Sequence, residues 1–141
     1  MTDLAPTEGR VLGIDYGTHR VGLALSDELR ITAQPLEVVA RADAVNRIAA
    51  IVVEMNVAEI VMGLPVGLSG KEGPAAFEAR LLGDEVAKAT GLAVTFADER
   101  FTTSTAERAM LAANVRRSRR RETVDKVAAA VILQAFLDRL R

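Results

Sequence analysis

Residues Val11–Asp27, VLGIDYGTHRVGLALSD, set two apolar runs on either side of a turn and place one carboxylate, Asp15, at the end of the first run. Val11-Leu12-Gly13-Ile14 is short, apolar and β-compatible. After Gly17-Thr18-His19-Arg20, residues Val21, Leu23 and Leu25 resume with period-two spacing, so the stretch predicts a β-hairpin. A carboxylate beside buried strand residues is costly unless it is paired or coordinated, so Asp15 calls for a cationic partner or a metal ion. Gly13 and Gly17 beside it leave room for another backbone or a phosphate to approach.

Composition limits what that carboxylate can do. The chain has no cysteine and one histidine, which excludes disulfides, thiolate metal sites, cysteine nucleophiles and a His-rich metal centre. Any metal must be held mainly by carboxylates. A length of 141 residues suits one domain over the whole chain, with residues 1–9 as a flexible leader, and is too short for a two-lobed ATP clamp. Half the residues are hydrophobic, yet no apolar run approaches the roughly 18 residues of a membrane span, and the N-terminus is polar. The expectation is a cytoplasmic protein with no membrane partner. A net charge of −1 means that any nucleic-acid contact must come from locally clustered charge. All the basic residues except Lys71, Lys88 and Lys126 are arginine, which suits phosphate geometry, although genome composition produces the same bias.

Beyond the hairpin, Ile31–Arg41 reads as a third strand interrupted at Pro35, which suits a sheet edge. Asp43 is placed to cap a helix carrying Val45, Ile48, Ala49, Val52 and Met55, and Glu59–Gly63 is a fourth strand, so a parallel crossover makes the sheet mixed. Gly63–Gly73 is a Gly-rich loop at that strand's carboxyl end without the Gly-Lys-Ser/Thr of a nucleotide loop. Pro74 opens a helix with Ala75, Ala79, Leu82, Val86 and Ala89, flanked by Phe77 and Leu81 and closed by Gly91. A fifth strand, Leu92–Ala97, runs into Asp98-Glu99-Arg100. Ser104 and Glu107 form a capping box for a further helix, Asn114–Arg121 carries five arginines, and Thr123 caps a last helix with Val124, Val127, Ala128, Val131 and Ala135 as its apolar stripe.

Three acidic sites emerge: Asp15, the Asp98-Glu99 pair, and Asp125 in the first turn of the last helix, on the border of its stripe. Parallel first and fifth strands would bring their carboxyl ends to one edge. Crowded carboxylates need a cation, and hard oxygen ligands without His or Cys select Mg²⁺ or Mn²⁺. Two such ions about 4 Å apart suit phosphodiester hydrolysis. Each acid also has a plainer role: Asp125 as a helix-dipole acid, Asp98 or Glu99 as a turn residue or partner of Arg100, with His19 a turn residue or phosphate contact. The pleat lets only one of Asp98 and Glu99 lean toward Asp15.

The hairpin GIDYGTHRVGLALSD resembles that of the RNase H-like superfamily, and more narrowly the YqgF-type family of Holliday-junction-resolvase-like nucleases implicated in pre-16S ribosomal RNA maturation. DERFTT at Asp98–Thr103, VDKVAAAVILQ at Val124–Gln134 and GLP at Gly63–Pro65 are similar to further motifs of that family, so the resemblance spans nearly the whole chain. It implies an α/β RNase H-like fold: a five-stranded mixed sheet of order 3-2-1-4-5, strand two antiparallel to the rest, and helices on both faces. It also implies Asp15, Glu99 and Asp125 as catalytic and metal-ligating triad, with Asp98 as the alternative to Glu99. One departure from the wider resolvase superfamily is that the fourth strand ends in Met62-Gly63-Leu64 without its usual acid.

The function so implied is a Mg²⁺- or Mn²⁺-dependent endonuclease with two metal ions, acting on structured RNA in the 5′ maturation of pre-16S rRNA, with branched DNA as second substrate. Thr18, Arg20, Arg100, Arg116, Arg117, Arg119, Arg120 and Arg121 are the candidate nucleic-acid contacts. The rival is a non-catalytic nucleic-acid-binding accessory protein of ribosome biogenesis or transcription. A phosphate-clamping ATPase fits the first hairpin only. Both a monomer and a homodimer are compatible with the sequence, resolution of four-way junctions favouring a dimer.

Overall fold

The first strand of the hairpin lies at the centre of the sheet. In the computed structural model, which describes residues 9–65, 72–98 and 120–140, β1 (Arg10–Asp15) pairs antiparallel with β2 (Arg20–Ser26) and parallel with β4 (Val57–Leu64). β3 (Ala33–Ala40) flanks β2 antiparallel, and β5 (Val94–Asp98) flanks β4 in parallel, giving the order β3-β2-β1-β4-β5. This is the order expected, with β2 antiparallel to the other four. Pro35 lies on the edge strand, where its missing N–H costs no ladder bond, and the register slips beside it between Leu23 and Ala24.

Three described α-helices cover the sheet: α1 (Ala44–Glu54), α2 (Pro74–Thr90) and α3 (Arg120–Arg139). Strand alternation sorts the apolar residues into two cores. Leu12, Ile14, Val21, Leu23, Ile60 and Met62 pack with Ile48 and Ile51 of α1 and Leu82 and Val86 of α2 on one face. Val11, Ala24, Val61 and Ala97 meet Ala129, Leu133 and Leu137 of α3 on the other. Each fully buried Leu or Ile contributes roughly 1.5–3 kcal/mol relative to exposure.

Helix boundaries depart from the sequence reading in physically simple ways. Asp43 occupies the N-cap position of α1 but makes no side-chain cap bond. Pro74 and Gly91 bracket α2 as anticipated, with Gly91 at a left-handed φ of 76°. The buried stripe of α2 is Ala76, Ala79, Leu82, Gly83 and Val86, because Gly83 has to admit the Phe96 ring; Ala75, Phe77, Leu81 and Ala89 face outward. In α3 the helix already runs from Arg120, so Thr123 lies inside it rather than capping it, and Asp125 is in the second turn. Its buried residues are Ala128, Ala129, Ile132, Leu133 and Leu137, while Val127, Val131 and Ala135 are half-buried. The expected helix around Ser104 and Glu107 falls outside the described residues. No helix among the described residues is long and apolar enough to cross a membrane.

Candidate active site at the carboxyl edge of the sheet

Where α3 crosses the hairpin, the sequence supplies glycine. A Cβ at Gly13 would lie 2.8 Å from the Leu133 Cβ, and one at Gly22 would collide with the Asp125 backbone carbonyl. The room beside Gly13 is therefore taken by the chain's own helix, not by a ligand. Gly17 is likewise closed by the turn, since its Cβ would meet the Arg20 carbonyl. The contact at Gly22 fixes where Asp125 sits, because Gly22 is the register partner of Asp15.

Asp15 ends β1 on the parity of Val11 and Gly13, the face that α3 covers. Asp125 stands over the same end of the same face, on the helical row of Ala129 and Ile132. Arg20 Nε donates to Asp125 Oδ2 at 3.0 Å, joining hairpin to helix across 105 residues of sequence. The pair is partly open to water, with side-chain exposures of 37% and 28%. Gly17, Thr18, His19, Arg20 and Asp125 line a cleft of about 380 Å³. The turn that forms its floor is tied down by the His19 carbonyl, which accepts from the Arg41 N–H at 2.8 Å, and the Arg41 guanidinium lies 6.0 Å from the Tyr16 ring centroid. Gln134 locks the other end of α3 to the β3 edge, its Oε1 accepting from Ala33 N–H and its Nε2 donating to the Ile31 carbonyl, both at 2.9 Å.

Asp98 is built into different surroundings. It ends β5 on the parity of Val94 and Phe96, which pack beneath α1 and α2. Its charge is felt by Glu72, just ahead of α2. Arg80 holds the Glu72 carboxylate at two oxygens, 2.8 and 2.7 Å, and draws its pKa below the ordinary glutamate value, against burial and the repulsion of Asp98. The Arg80 guanidinium also lies 5.0 Å from the Phe96 ring centroid.

Of the expected site, then, the structure brings Asp15, Thr18, Arg20 and Asp125 to one end of one face and sets Asp98 on the opposite parity. Glu99, Arg100, Arg116, Arg117 and Arg119 lie outside the described residues, as do the side chains of Arg120 and Arg121. Among the described residues no three Asp, Glu or His side chains gather closely enough to hold a metal ion. The donor set the hairpin and α3 do offer, carboxylate oxygens with no sulfur or paired imidazole, fits a hard divalent cation. Sequence reasoning missed the Arg20–Asp125 bond and the role of Gly22; neither leaves a local signal, because each partner is about a hundred residues away.

An acid ending the central strand of a 3-2-1-4-5 sheet, with a second acid on the helix laid across it, is the arrangement of a protein with the RNase H-like fold. Solved structures agree on the fold: the chain aligns with T. thermophilus RuvC in complex with a Holliday junction substrate at a TM-score of 0.56, 20% identity, covering 94% of this chain and 96% of that one. The Fowlpox virus resolvase aligns at 0.54 with 10% identity, covering 93% and 98%. The family model for RuvX, described as Holliday junction resolvase, matches residues 9–139. A protein of Agathobacter rectalis named "Putative pre-16S rRNA nuclease" is 43% identical over 137 residues, covering 93% of this chain and 96% of its own. A Rhodobacter capsulatus protein of the same name is 46% identical over 142 residues, covering 96% and 87%. The chain belongs to the RuvX family, which is the YqgF-type family that its four motifs resemble.

Proposed function

We propose that this nuclease is a Mg²⁺- or Mn²⁺-dependent endonuclease for structured RNA, acting in the cytoplasm on the 5′ end of pre-16S rRNA as a single domain. The observation that carries this reading is the placement of Asp15 and Asp125 at one end of one sheet face, beside a cleft floored by the Gly17–Arg20 turn. Asp15, Asp125 and Glu99 would hold the metal, and Asp98, set on the other parity, would not. When bound, divalent ions would activate the attacking water and stabilise the leaving oxygen.

The chain's own residues bind and orient. Thr18 and Arg20 line the cleft, and Arg100, Arg116, Arg117, Arg119, Arg120 and Arg121 would supply phosphate contacts, the locally clustered charge that a protein of net charge −1 needs for a nucleic acid. The names of the two curated relatives support pre-rRNA as substrate. The RuvX description and the RuvC complex support branched DNA as the second substrate, for which a dimer would place two sites on one junction.

Purified protein incubated with a 5′-extended 16S precursor and with a four-way junction, in Mg²⁺, Mn²⁺ or EDTA, tests this. The expected result is EDTA-sensitive cleavage of the precursor. Cleavage of the junction alone would transfer the activity to DNA, and binding of both without cleavage would overturn the enzyme in favour of an accessory binding protein.

A further inference from the structure

Arg20 and Asp125 are joined by a single hydrogen bond beside the cleft. The bond runs through Nε alone, and both side chains are partly exposed. Two other arginines are held at both carboxylate oxygens: Arg47 grips Glu37 at 2.7 and 2.9 Å through two nitrogens, and Arg80 grips Glu72 in the same two-pronged way while lying over Phe96. Asp125, by contrast, has little freedom at its backbone, whose carbonyl is pressed against Gly22. If the pair opens, the side chain that travels is that of Arg20, and the space open to it is the cleft it already lines with Thr18 and His19.

We propose that Arg20 is the resident counter-cation of Asp125, exchanged for a divalent ion when the site is loaded and thereby released to hold a substrate phosphate. This rests on the metal-dependent nuclease reading above. A guanidinium and a divalent cation drawn to one carboxylate repel each other, and the doubly charged ion attracts the carboxylate more strongly at equal distance. A freed guanidinium with five N–H donors suits a phosphate bidentately. Metal and nucleic acid would then favour each other's binding, and the coupling must be equal in both directions. Arg20 is in this scheme a positioning residue for Asp125 before loading and a substrate contact after it.

The test measures Mn²⁺ affinity on nucleic-acid-free protein by the loss of the free-ion electron paramagnetic resonance signal, for wild type, Arg20→Gln, Arg20→Lys and Asp125→Asn, each confirmed as folded by circular dichroism. Removing the competing charge should tighten Mn²⁺ binding roughly three- to tenfold in Arg20→Gln. Arg20→Lys, which keeps the charge, should stay close to wild type, and Asp125→Asn should bind weakly. In parallel, Ca²⁺ should tighten binding of a fluorescent four-way junction to wild type more than to Arg20→Gln. Unchanged or weaker Mn²⁺ binding by Arg20→Gln, with wild type still binding and Asp125→Asn impaired, would overturn the exchange alone. No Mn²⁺ binding by wild type, or binding indifferent to Asp125→Asn, would overturn the metal site and the exchange with it.

Discussion

Two arginine–carboxylate pairs, Arg80–Glu72 beside the end of β5 and Arg20–Asp125 beside the end of β1, use the same chemistry for different ends. Arg80 meets both oxygens of Glu72 and stacks on Phe96. Such a geometry engages both carboxylate oxygens and fixes the plane of the guanidinium. Arg20 meets one oxygen of Asp125 through one nitrogen, inside a cleft of about 380 Å³. That pair leaves a carboxylate oxygen and the outer nitrogens available for a ligand. The two-pronged pair fastens the start of α2; the single bond leaves room for the exchange that the proposed site requires.

The sharpest way to break this contrast lies in the adjacent acids at the end of β5. Asp98 shares the parity of Phe96, away from the face of Asp15, so Asp98→Asn should retain cleavage with only a small change in Tm, since its charge repels Glu72 and the amide relieves that repulsion. Glu99→Gln should lose metal-dependent cleavage by at least about a hundredfold, more than the loss usual for a residue that only supports a ligand, with little change in Tm. Turnover and Tm for both variants check the assignment, and a dead Asp98→Asn beside an active Glu99→Gln would reverse it.

A second test addresses the close approach that sets Asp125 in place. Gly22→Ala pushes a methyl into the Asp125 carbonyl and forces α3 off the hairpin, so it should cost about 1–3 kcal/mol by denaturant unfolding. It should also depress cleavage, because the displaced group carries a proposed ligand. Gly73→Ala, where a Cβ meets nothing within 4 Å, is the matched control and should lose far less.

The smallest expected effect concerns the closed pair. Arg80 hydrogen bonds lower the Glu72 pKa below its ordinary 4.5, so the folded protein holds that proton less tightly than the unfolded chain. The resulting stabilisation is present above about 4.5 and is lost as pH falls through the lowered folded value. Wild type should therefore melt slightly above Glu72→Gln at pH 7, and the gap should close in acid. The pair is exposed, so the gap should also shrink in high salt.

Much of this was legible in the sequence, and the reason is local periodicity. Val21, Leu23 and Leu25 alternate, Pro74 and Gly91 bracket a helix, and Pro35 marks an edge; each signal is carried by a few neighbouring residues, and all five strands follow. The faces of α2 and α3 were less legible, because Ala and Gly serve there as contact residues and hydrophobicity alone does not separate Ala75 from Ala76. Asp15 and the Asp98-Glu99 pair stand out as charge at strand ends and Asp125 as an acid on the border of a helix stripe, with the family motifs choosing among them. The Arg20–Asp125 bond and the seat of Asp125 on Gly22 were not legible, since they exist only after α3 has folded back over β2.

The face beneath α3, at the carboxyl end of β1, is where the chemistry is proposed to occur, and Mg²⁺-dependent cleavage of the 16S precursor by Asp15→Asn, measured beside its melting temperature without metal, probes it at its first residue. Cleavage should fall to the EDTA background with an equal or higher Tm, because the amide keeps the shape of the carboxylate but cannot neutralise a cation, and mutual repulsion among the acids is relieved. Cleavage by Asp15→Asn at a rate near wild type would contradict it.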